Sequence, residues 1–362
     1  MDNKIVFTGG GSGGHVFPGL AVISELKKKA PSLDILWLGS NNGMEKRIVE
    51  DHGIPFAGIP AGKLRRYFSF RTFLDAFRVL GGVIASVIIL CRNRPAAIFS
   101  RGGYVTVPPV IAAKFLGIPI VTHESDGDPG LATKINSRFA SKILVSYSET
   151  INFFSKKNAK KIIVTGNPVR KSIFLGSRDR GRKILNIDSR IPVVFIMGGS
   201  LGAGQINLLV EGIVDKLCKK YVVIHQMGEK GYVKSKIRNY FTYSFLNDQY
   251  KDFLATADVV VSRSGAGAIW EIASLGKASI LIPLEGSGTR GDQVRNALIF
   301  EEHGAAIVMR GKKISPDLLL KNIEYLISDK IRRRQIEESV IKISKPSSAA
   351  DIADIIINEV KG

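Results

Sequence analysis

The feature that most constrains the fold is a short apolar segment that runs directly into a glycine-rich loop, and the sequence contains it twice. Residues 5–14 are IVFTGGGSGG, and residues 193–202 are VVFIMGGSLG. In each copy, β-branched and aromatic residues typical of a buried strand precede glycines that open a helix. Two copies, at the start of two successive halves, predict tandem Rossmann-like α/β domains with a cleft between them.

Short β-branched runs alternate with helical stretches in both halves, which is the pattern of βαβ units and a parallel sheet. A chain of 362 residues is long enough for two such domains, each with its own core. The predicted domains are residues 1–165 and 166–345, and residues 346–362 are expected to form a helix that packs back toward the first domain. The predicted strands are residues 5–8, 35–38, 56–59, 97–99, 120–122, 143–145, 162–164, 193–197, 222–225, 259–262, 279–282 and 306–308.

Charge and cysteine content narrow the expected partners and compartment. The net charge of +20 indicates a polyanionic partner such as anionic lipid or a phosphorylated substrate, although a generally basic surface is the alternative. Nucleic acid is disfavoured because no recognised binding motif accompanies the charge. Cys91 and Cys218 lie far apart, which suits a reducing compartment and argues against a disulfide framework or a structural zinc site. Residues 79–90 are too short an apolar run to span a bilayer, and no signal-peptide pattern precedes them, so we expect a soluble or peripheral protein.

The first loop has the spacing of a dinucleotide-binding site but lacks the acid that such a site needs. Its glycines, within residues 9–14, match G-x-G-x-x-G. Residues 38–40, at the end of the second predicted strand, are Leu-Gly-Ser with no carboxylate for a ribose, which disfavours NAD. What remains is a loop whose backbone N–H groups can bind an anion at a helix start, with Pro18 suited to the first turn. His15 is then either a general base, a charge-stabilising donor or a helix-capping residue.

The second half contains polar residues that suit a nucleotide sugar. Ser200 adds a hydroxyl donor beside a second helix N-terminus, which favours phosphate binding. Glu271 follows small residues, and one carboxylate can accept both hydroxyls of a ribose, although a solvated surface glutamate is the alternative. Asp292 and Gln293 offer acceptors and donors for sugar hydroxyls. Arg170, at the junction of the halves, can bind a diphosphate through its guanidinium group.

Residues 63–78 have the composition of a membrane-contacting segment. Their sequence, KLRRYFSFRTFLDAFR, alternates aromatic side chains with arginines, which suits the boundary between lipid headgroups and acyl chains. A buried core helix with aromatic residues at helical spacing is the alternative. The predicted membrane contacts are Phe70, Phe73, Phe77, Arg66 and Arg71.

Short motifs occur in a fixed order along the whole chain. They are GGH at 13–15 with Pro18, SRGGY at 100–104, HE at 123–124, GNPVR at 166–170, GGS at 198–200, RSGA at 263–266, and DQ at 292–293 with NA at 296–297. Together they resemble the MurG family of bacterial glycosyltransferases.

The resemblance implies the two-domain GT-B architecture and an inverting transfer of N-acetylglucosamine from UDP-N-acetylglucosamine to the 4-hydroxyl of the MurNAc of lipid I, giving lipid II for peptidoglycan synthesis. It implies no cofactor and no metal, a peripheral position on the cytoplasmic face of the cell membrane, and a cell-wall synthesis complex as a partner. Enzymes of the same architecture that glucosylate diacylglycerol are the alternative.

The resemblance also implies roles for single residues around the acceptor. His15 would be the catalytic base. The family usually has Gln-Asn after His-Glu, whereas this chain has Ser125-Asp126, so Asp126 would bring a negative charge to a substrate-binding position. The residues implied to contact the acceptor or the diphosphate are Ser12, Gly13, Gly14, Gly102, Gly103 and Tyr104.

A second set of roles is implied for the donor. Arg170 and Ser200 would bind its phosphates, and Leu246 would contact the uracil through its backbone. Glu271 would bind the ribose and Gln293 the amino sugar. Because the leaving UDP gains negative charge, the guanidinium group and the helix N-terminus at the second loop would stabilise it without a metal.

Overall fold

Two parallel sheets form the framework of the chain in a computed structural model. The chain divides into two units, the first built from residues 1–170 and 346–362 and the second from residues 171–345. Both are α/β units, so the predicted fold class of two Rossmann-like domains is confirmed. The structure describes residues 4–62, 70–188, 190–198, 203–286 and 289–361, without the side chains of 70–74 and 361.

The first unit contains a seven-stranded sheet whose order changes direction at its centre. The order is β3-β2-β1-β4-β5-β6-β7, and all described pairs are parallel. Between β1 and β4 the connections leave in opposite directions, which opens a crevice at the carboxyl ends of these strands, where α/β folds bind ligands. The strands are β1 Lys4–Thr8, β2 Asp34–Ser40, β3 Phe56–Ile59, β4 Ala97–Ser100, β5 Ile120–Glu124, β6 Lys142–Val145 and β7 Ile162–Val164.

Helices cover both faces of this sheet. On one face α1 and α15 share a core in which Ile352, Ala353 and Ile356 are fully buried. Lys29 at the end of α1 donates a hydrogen bond to the carbonyl oxygen of Ala350, 3.1 Å away. The last helix therefore completes the core of the first unit. The helices are α1 Gly13–Lys29, α2 Glu45–Asp51, α3 Phe70–Asn93, α4 Val107–Phe115, α5 Leu131–Asn136, α6 Lys156–Ala159 and α15 Ser348–Lys361.

Helix α1 begins earlier than the sequence indicated, so Pro18 lies inside the helix and not in its first turn. Ser12 has an extended backbone, and the N–H of His15 donates to the Ser12 carbonyl oxygen at 3.1 Å. The two intervening glycines are therefore helical, although glycine is a weak helix former. The consequence is that His15 lies in the first turn, next to the glycine loop.

The first unit also extends beyond residue 165, where the sequence placed the domain boundary, to Arg170. The carbonyl oxygen of Gly166 accepts a hydrogen bond from His123 at 2.9 Å, and Asn167 accepts one from Arg101 at 3.1 Å. Both donors are buried at the carboxyl ends of β4 and β5. These two bonds attach residues 166–170 to the first sheet.

The second unit repeats the topology with six parallel strands in the order β10-β9-β8-β11-β12-β13. Strand β10 was not predicted. Its residues, YFTY, favour strands, but the run is only four residues long and is half-buried at the sheet edge, where it pairs with β9. The strands are β8 Val193–Met197, β9 Val222–Gln226, β10 Tyr240–Tyr243, β11 Val259–Ser262, β12 Ser279–Leu281 and β13 Ile307–Val308. The helices are α7 Arg178–Leu185, α8 Gly204–Glu211, α9 Val214–Cys218, α10 Tyr250–Thr256, α11 Ala266–Ser274, α12 Asp292–Glu302, α13 Pro316–Ser328 and α14 Lys330–Ile343.

Candidate active site

Two glycine-containing segments meet at the crevice of the first sheet. A side chain at Gly103 would collide with the carbonyl oxygen of Gly10, and a Cβ added to Gly11 would lie 3.0 Å from the ring of Tyr104. Gly103 also has φ +83°, a conformation that residues with a side chain rarely adopt. The loop after β1 and the predicted acceptor residues 102–104 after β4 are therefore in direct contact.

His15 lies beside this contact, and one of its ring nitrogens has a defined role. Its Nδ1 is 3.0 Å from the carbonyl oxygen of Arg101. Because a carbonyl oxygen only accepts, Nδ1 carries the proton of the neutral ring and the lone pair lies on Nε2. Side chains at Gly102 and Gly103 would approach the imidazole to 3.6 Å and 3.3 Å, so glycines keep this side of the ring accessible. Because Nδ1 donates to Arg101, it does not accept from a backbone N–H at the start of α1, as a capping nitrogen would, so the geometry suits a base better than a helix cap.

A fully buried arginine connects the segments around His15. The Arg101 guanidinium donates to Asn167 Oδ1 at 3.1 Å and to Ser125 Oγ at 3.4 Å, and it also bonds His123 Nδ1. Burial and the neighbouring cation hold the pKa of His123 well below its usual range, so this ring is neutral and accepts at Nδ1. From the sequence, Arg101 was part of the SRGGY motif at 100–104, and no role was predicted for it. The signal for its structural role was a charged residue between an apolar strand and two glycines.

Two carboxylates lie near this arginine. Glu124 accepts hydrogen bonds from the N–H groups of Ser125, Asp126 and Gly130 at 2.9–3.1 Å, which fixes the loop after β5. Burial lowers the pKa of Arg101 to about 10, while the negative charges of Glu124 and Asp126 oppose this shift and keep the guanidinium charged at neutral pH. Asp126 is only 8% exposed. The charge that distinguishes this chain at position 126 thus acts on Arg101.

In the second unit, Gln293 lies next to the N-terminus of α11. Its side-chain oxygen accepts from the N–H of Leu284 at 3.0 Å, and its carbonyl oxygen accepts from Ser264 Oγ at 2.7 Å. Its amide nitrogen is 4.0 Å from a Cβ built on Gly265, the N-cap of α11. Glu271, on the same helix, is half-buried and not fully solvated. Gln293 and the start of α11 therefore lie together at the carboxyl ends of β11 and β12.

Three further residues were predicted to bind the nucleotide-sugar donor: Leu246, Arg170 and Ser200. The side chain of Leu246 is buried, which leaves its backbone for a ligand and suits the contact implied for it. Arg170 is exposed, and its guanidinium carbon lies 6.0 Å from the ring centroid of Phe17 on α1, within the range of a cation–π contact. The Phe17 ring lies beside Gly13, so this arginine is near the first glycine loop. Ser200 lies outside the described residues.

Comparisons with known proteins agree with this organisation. Residues 5–145 match the glycosyltransferase family 28 N-terminal domain, and residues 193–355 match the family's C-terminal domain. A Treponema denticola protein named UDP-N-acetylglucosamine–N-acetylmuramyl-(pentapeptide) pyrophosphoryl-undecaprenol N-acetylglucosamine transferase is 44% identical, covering 97% of this chain and 96% of its own. A Clostridium perfringens protein of the same name is 42% identical, covering 98% and 97%. The chain belongs to glycosyltransferase family 28.

The family 28 assignment confirms the resemblance found in the sequence motifs. The crystal structure of Acinetobacter baumannii MurG is similar to this structure with a TM-score of 0.74 at 24% identity, covering 98% of this chain and 99% of that one, and it supports the fold. Within the described part of the chain, no group of three or more His, Cys, Asp or Glu side chains could hold a metal ion.

Helix α3 of this family 28 protein has one buried and one exposed face. Its buried face includes Ser86 and Leu90, whereas Phe77, Leu80, Ile84 and Ile88 are each about half exposed or more. The helix is thus not a wholly buried core helix. The Arg78 guanidinium forms an ion pair with the Asp75 carboxylate, 3.1 Å away.

Among the residues that the structure describes, no helix has the length and apolar character needed to cross a bilayer. Of the predicted membrane contacts, Arg66 and the side chains of Phe70, Arg71 and Phe73 lie outside the described set.

The Arg101 environment generates the first prediction. Asp126→Asn removes one of the two negative charges near a buried cation, so we expect the first unit to lose about 1–3 kcal/mol of unfolding free energy, less than for a fully unpaired charge because Glu124 remains. Urea unfolding measures this in a Trp270→Phe background, where Trp37 of the first unit is the one remaining tryptophan.

Asp128→Asn is the matched control in the same loop. Asp128 pairs with Lys134 at 3.4 Å with both side chains 40% exposed, so its loss should cost 0–1 kcal/mol. Equal stability of the two variants would contradict the assignment of Asp126 to Arg101.

Proposed function

We propose that this protein transfers N-acetylglucosamine from UDP-N-acetylglucosamine to the 4-hydroxyl of the MurNAc of lipid I, giving lipid II for peptidoglycan synthesis. The observation that carries the proposal is the His15 ring, with its lone pair on Nε2, beside the glycine loop and residues 102–104. The names of the Treponema denticola and Clostridium perfringens relatives support the choice of substrates.

On the acceptor side, His15 acts as the general base. Its Nε2 takes the proton of the 4-hydroxyl as that oxygen attacks the anomeric carbon in line, which inverts the configuration and breaks the bond to UDP. The imidazolium that forms is stabilised at Nδ1 by the Arg101 carbonyl oxygen. Ser12, Gly13 and Gly14 contact a diphosphate through the exposed helix start. Gly102, Gly103 and Tyr104 complete the acceptor pocket.

On the donor side, residues of the second unit bind the nucleotide sugar. Glu271 accepts from the ribose hydroxyls, Gln293 binds the amino sugar, and the backbone of Leu246 meets the uracil. Arg170 and the helix N-terminus at Ser200 stabilise the charge that develops on UDP. The proposed reaction therefore includes no metal and no cofactor.

We further propose that α3 and the residues before it dock the protein peripherally on the anionic cytoplasmic face of the cell membrane. The exposed side chains of α3 from Phe77 to Ile88 form an apolar stripe, and α4, which packs against α3, ends in Phe115 with 79% exposure. The net charge of +20 adds attraction to anionic lipid. Arg66, Arg71, Phe70 and Phe73 extend this surface in the sequence.

The substrates are tested with radiolabelled UDP-sugars against lipid I and diacylglycerol analogues. We expect label transfer from UDP-N-acetylglucosamine to the lipid I analogue and none to diacylglycerol, because the relatives of more than 40% identity bear the lipid I acceptor in their names. Glucose transfer to diacylglycerol without activity on lipid I would overturn the proposal.

The role of His15 is tested by His15→Ala. We expect kcat to fall on the order of 10²-fold or more, because a general base is lost, while the affinity for UDP changes little because the proposed nucleotide site lies in the second unit. Steady-state kinetics and calorimetric titration measure the two effects. His52→Ala, an exposed histidine at the end of α2, is the control and should retain the wild-type rate. A wild-type kcat for His15→Ala would exclude the base.

Membrane docking is tested by vesicle co-sedimentation. We expect binding to vesicles of anionic phospholipid that weakens as salt rises but persists through the apolar contacts. Ile84→Ser with Ile88→Ser should weaken binding about 30-fold, since each exposed isoleucine contributes roughly 1 kcal/mol when it enters the interface. The matched control is Ile331→Ser with Ile341→Ser, two exposed isoleucines of α14, which should bind like wild type. Equal binding of both double variants would place the docking surface elsewhere.

A further inference from the structure

Glu45, the first residue of α2, is a carboxylate that the proposed reaction does not use. It is completely buried, although acidic side chains are seldom buried without partners. Its Oε1 accepts hydrogen bonds from the N–H and the Oγ of Ser40 at 2.9 and 2.8 Å. Its Oε2 accepts from the N–H of Gly11 at 3.3 Å. A single carboxylate thus joins the end of β2 to the first glycine loop.

The glycine loop is shaped around this carboxylate. A Cβ added to Gly10 would lie 2.5 Å from Glu45 Oε1, so the absence of a side chain there leaves the space that the carboxylate fills. Gly11 has φ +84° and directs its N–H toward Oε2. The conformation of residues 10 and 11, directly before the N-cap of α1, therefore depends on the acid.

The Tyr104 ring packs on the same loop. A Cβ added to Gly11 would lie 3.0 Å from a ring carbon of Tyr104, so the position of Gly11 fixes the space that the ring occupies. Burial and the charge of Glu45 both raise the pKa of Tyr104, so the phenol stays protonated. The acid, the loop and the Tyr104 ring therefore form one packed unit.

We propose that Glu45 is a positioning residue, whose carboxylate holds the first glycine loop, and with it the Tyr104 ring that packs on Gly11, in the arrangement that receives the acceptor. This inference rests on the proposed function for the identity of the acceptor. Complete burial excludes contact between Glu45 and the substrate. The acid acts through its two partners, Gly11 and Ser40.

The chemistry of the site requires a carboxylate and not merely a side chain of that size. Three donors converge on Glu45, and its two oxygens accept from all of them. Glutamine has the same shape but only one acceptor oxygen, so in Glu45→Gln an NH2 group faces either the Gly11 N–H or the donors of Ser40. The variant thus loses hydrogen bonds between residue 45 and either Gly11 or Ser40, with little change in packing volume.

The test compares Glu45→Gln with Glu25→Gln in the full chain. Glu25 is a buried carboxylate of α1 that pairs with Lys28, so it is a matched control outside the loop. We expect Glu45→Gln to lower kcat/KM for the lipid I analogue roughly 10- to 100-fold, since small displacements of positioning groups have effects of this size. The KM for UDP-N-acetylglucosamine should stay within about twofold. Hydrogen exchange, read by mass spectrometry on a peptide covering residues 9–20, should become faster only in Glu45→Gln.

Each result decides a separate point. Equal kinetics and equal exchange in the two variants would overturn the proposal. If the wild type fails to transfer N-acetylglucosamine to lipid I, the proposed function fails, whereas faster exchange in Glu45→Gln would still support the positioning of the loop. If Glu45→Gln does not fold, Ser40→Ala carries the test. It removes one of the three hydrogen bonds that hold the Glu45 carboxylate but leaves the Gly11 bond, so acceptor kcat/KM should fall and exchange in residues 9–20 should become faster, by less than on loss of the acid. Wild-type kinetics and wild-type exchange in Ser40→Ala would overturn the proposal.

Discussion

The buried guanidinium group of Arg101 is the interaction on which the arrangement of the first unit's candidate site depends. Placing a cation in a protein interior costs several kcal/mol unless charges and hydrogen bonds compensate for the lost water. Here Glu124 and Asp126 supply the charge, and Asn167 supplies one of the acceptors. The backbone carbonyl oxygen of Arg101 accepts a hydrogen bond from His15. Arg101 thereby connects the chain segments that contain His15, Glu124 and Asn167. Its bond to Asn167 is also one of the contacts that attach residues 166–170 to the first unit.

The sequence predicted the central strands well because burial on both faces leaves a strong signal. Residues 193–197 are a continuous apolar run, as expected for a strand in the middle of a parallel sheet. Strand β10, Tyr240–Tyr243, was missed although its residues favour strands, because it is only four residues long and, as a half-solvated edge strand, lacks a continuous aliphatic run. The start of α1 was predicted wrongly from Pro18 for another reason. Proline is common at helix starts, but here the helix begins five residues earlier at Gly13.

The candidate site was predictable only where a residue's role follows from its local motif. The glycines and His15 were found because a strand, a loop and a helix start are adjacent in sequence. The role of Arg101 could not be found this way, because its side-chain partners come from two other segments of the chain, one at the end of β5 and one at Asn167. Glu45 shows the same limit. The last residue of β2 is Ser40 and not an acid, but the fold brings a carboxylate to that strand end from five residues further along the chain.

The packing of α15 on α1 has a consequence for the order in which the protein assembles during synthesis. Residues 346–362 follow the whole second unit in the chain, yet Ile352 and Ile356 are fully buried in the core of the first. A ribosome makes a chain from its N-terminus, so the second unit can fold as soon as it emerges, whereas the first waits with the apolar side of α1 uncovered. The unit made first is the one finished last. Until α15 arrives, a nascent chain of this protein exposes a core surface that chaperones would recognise.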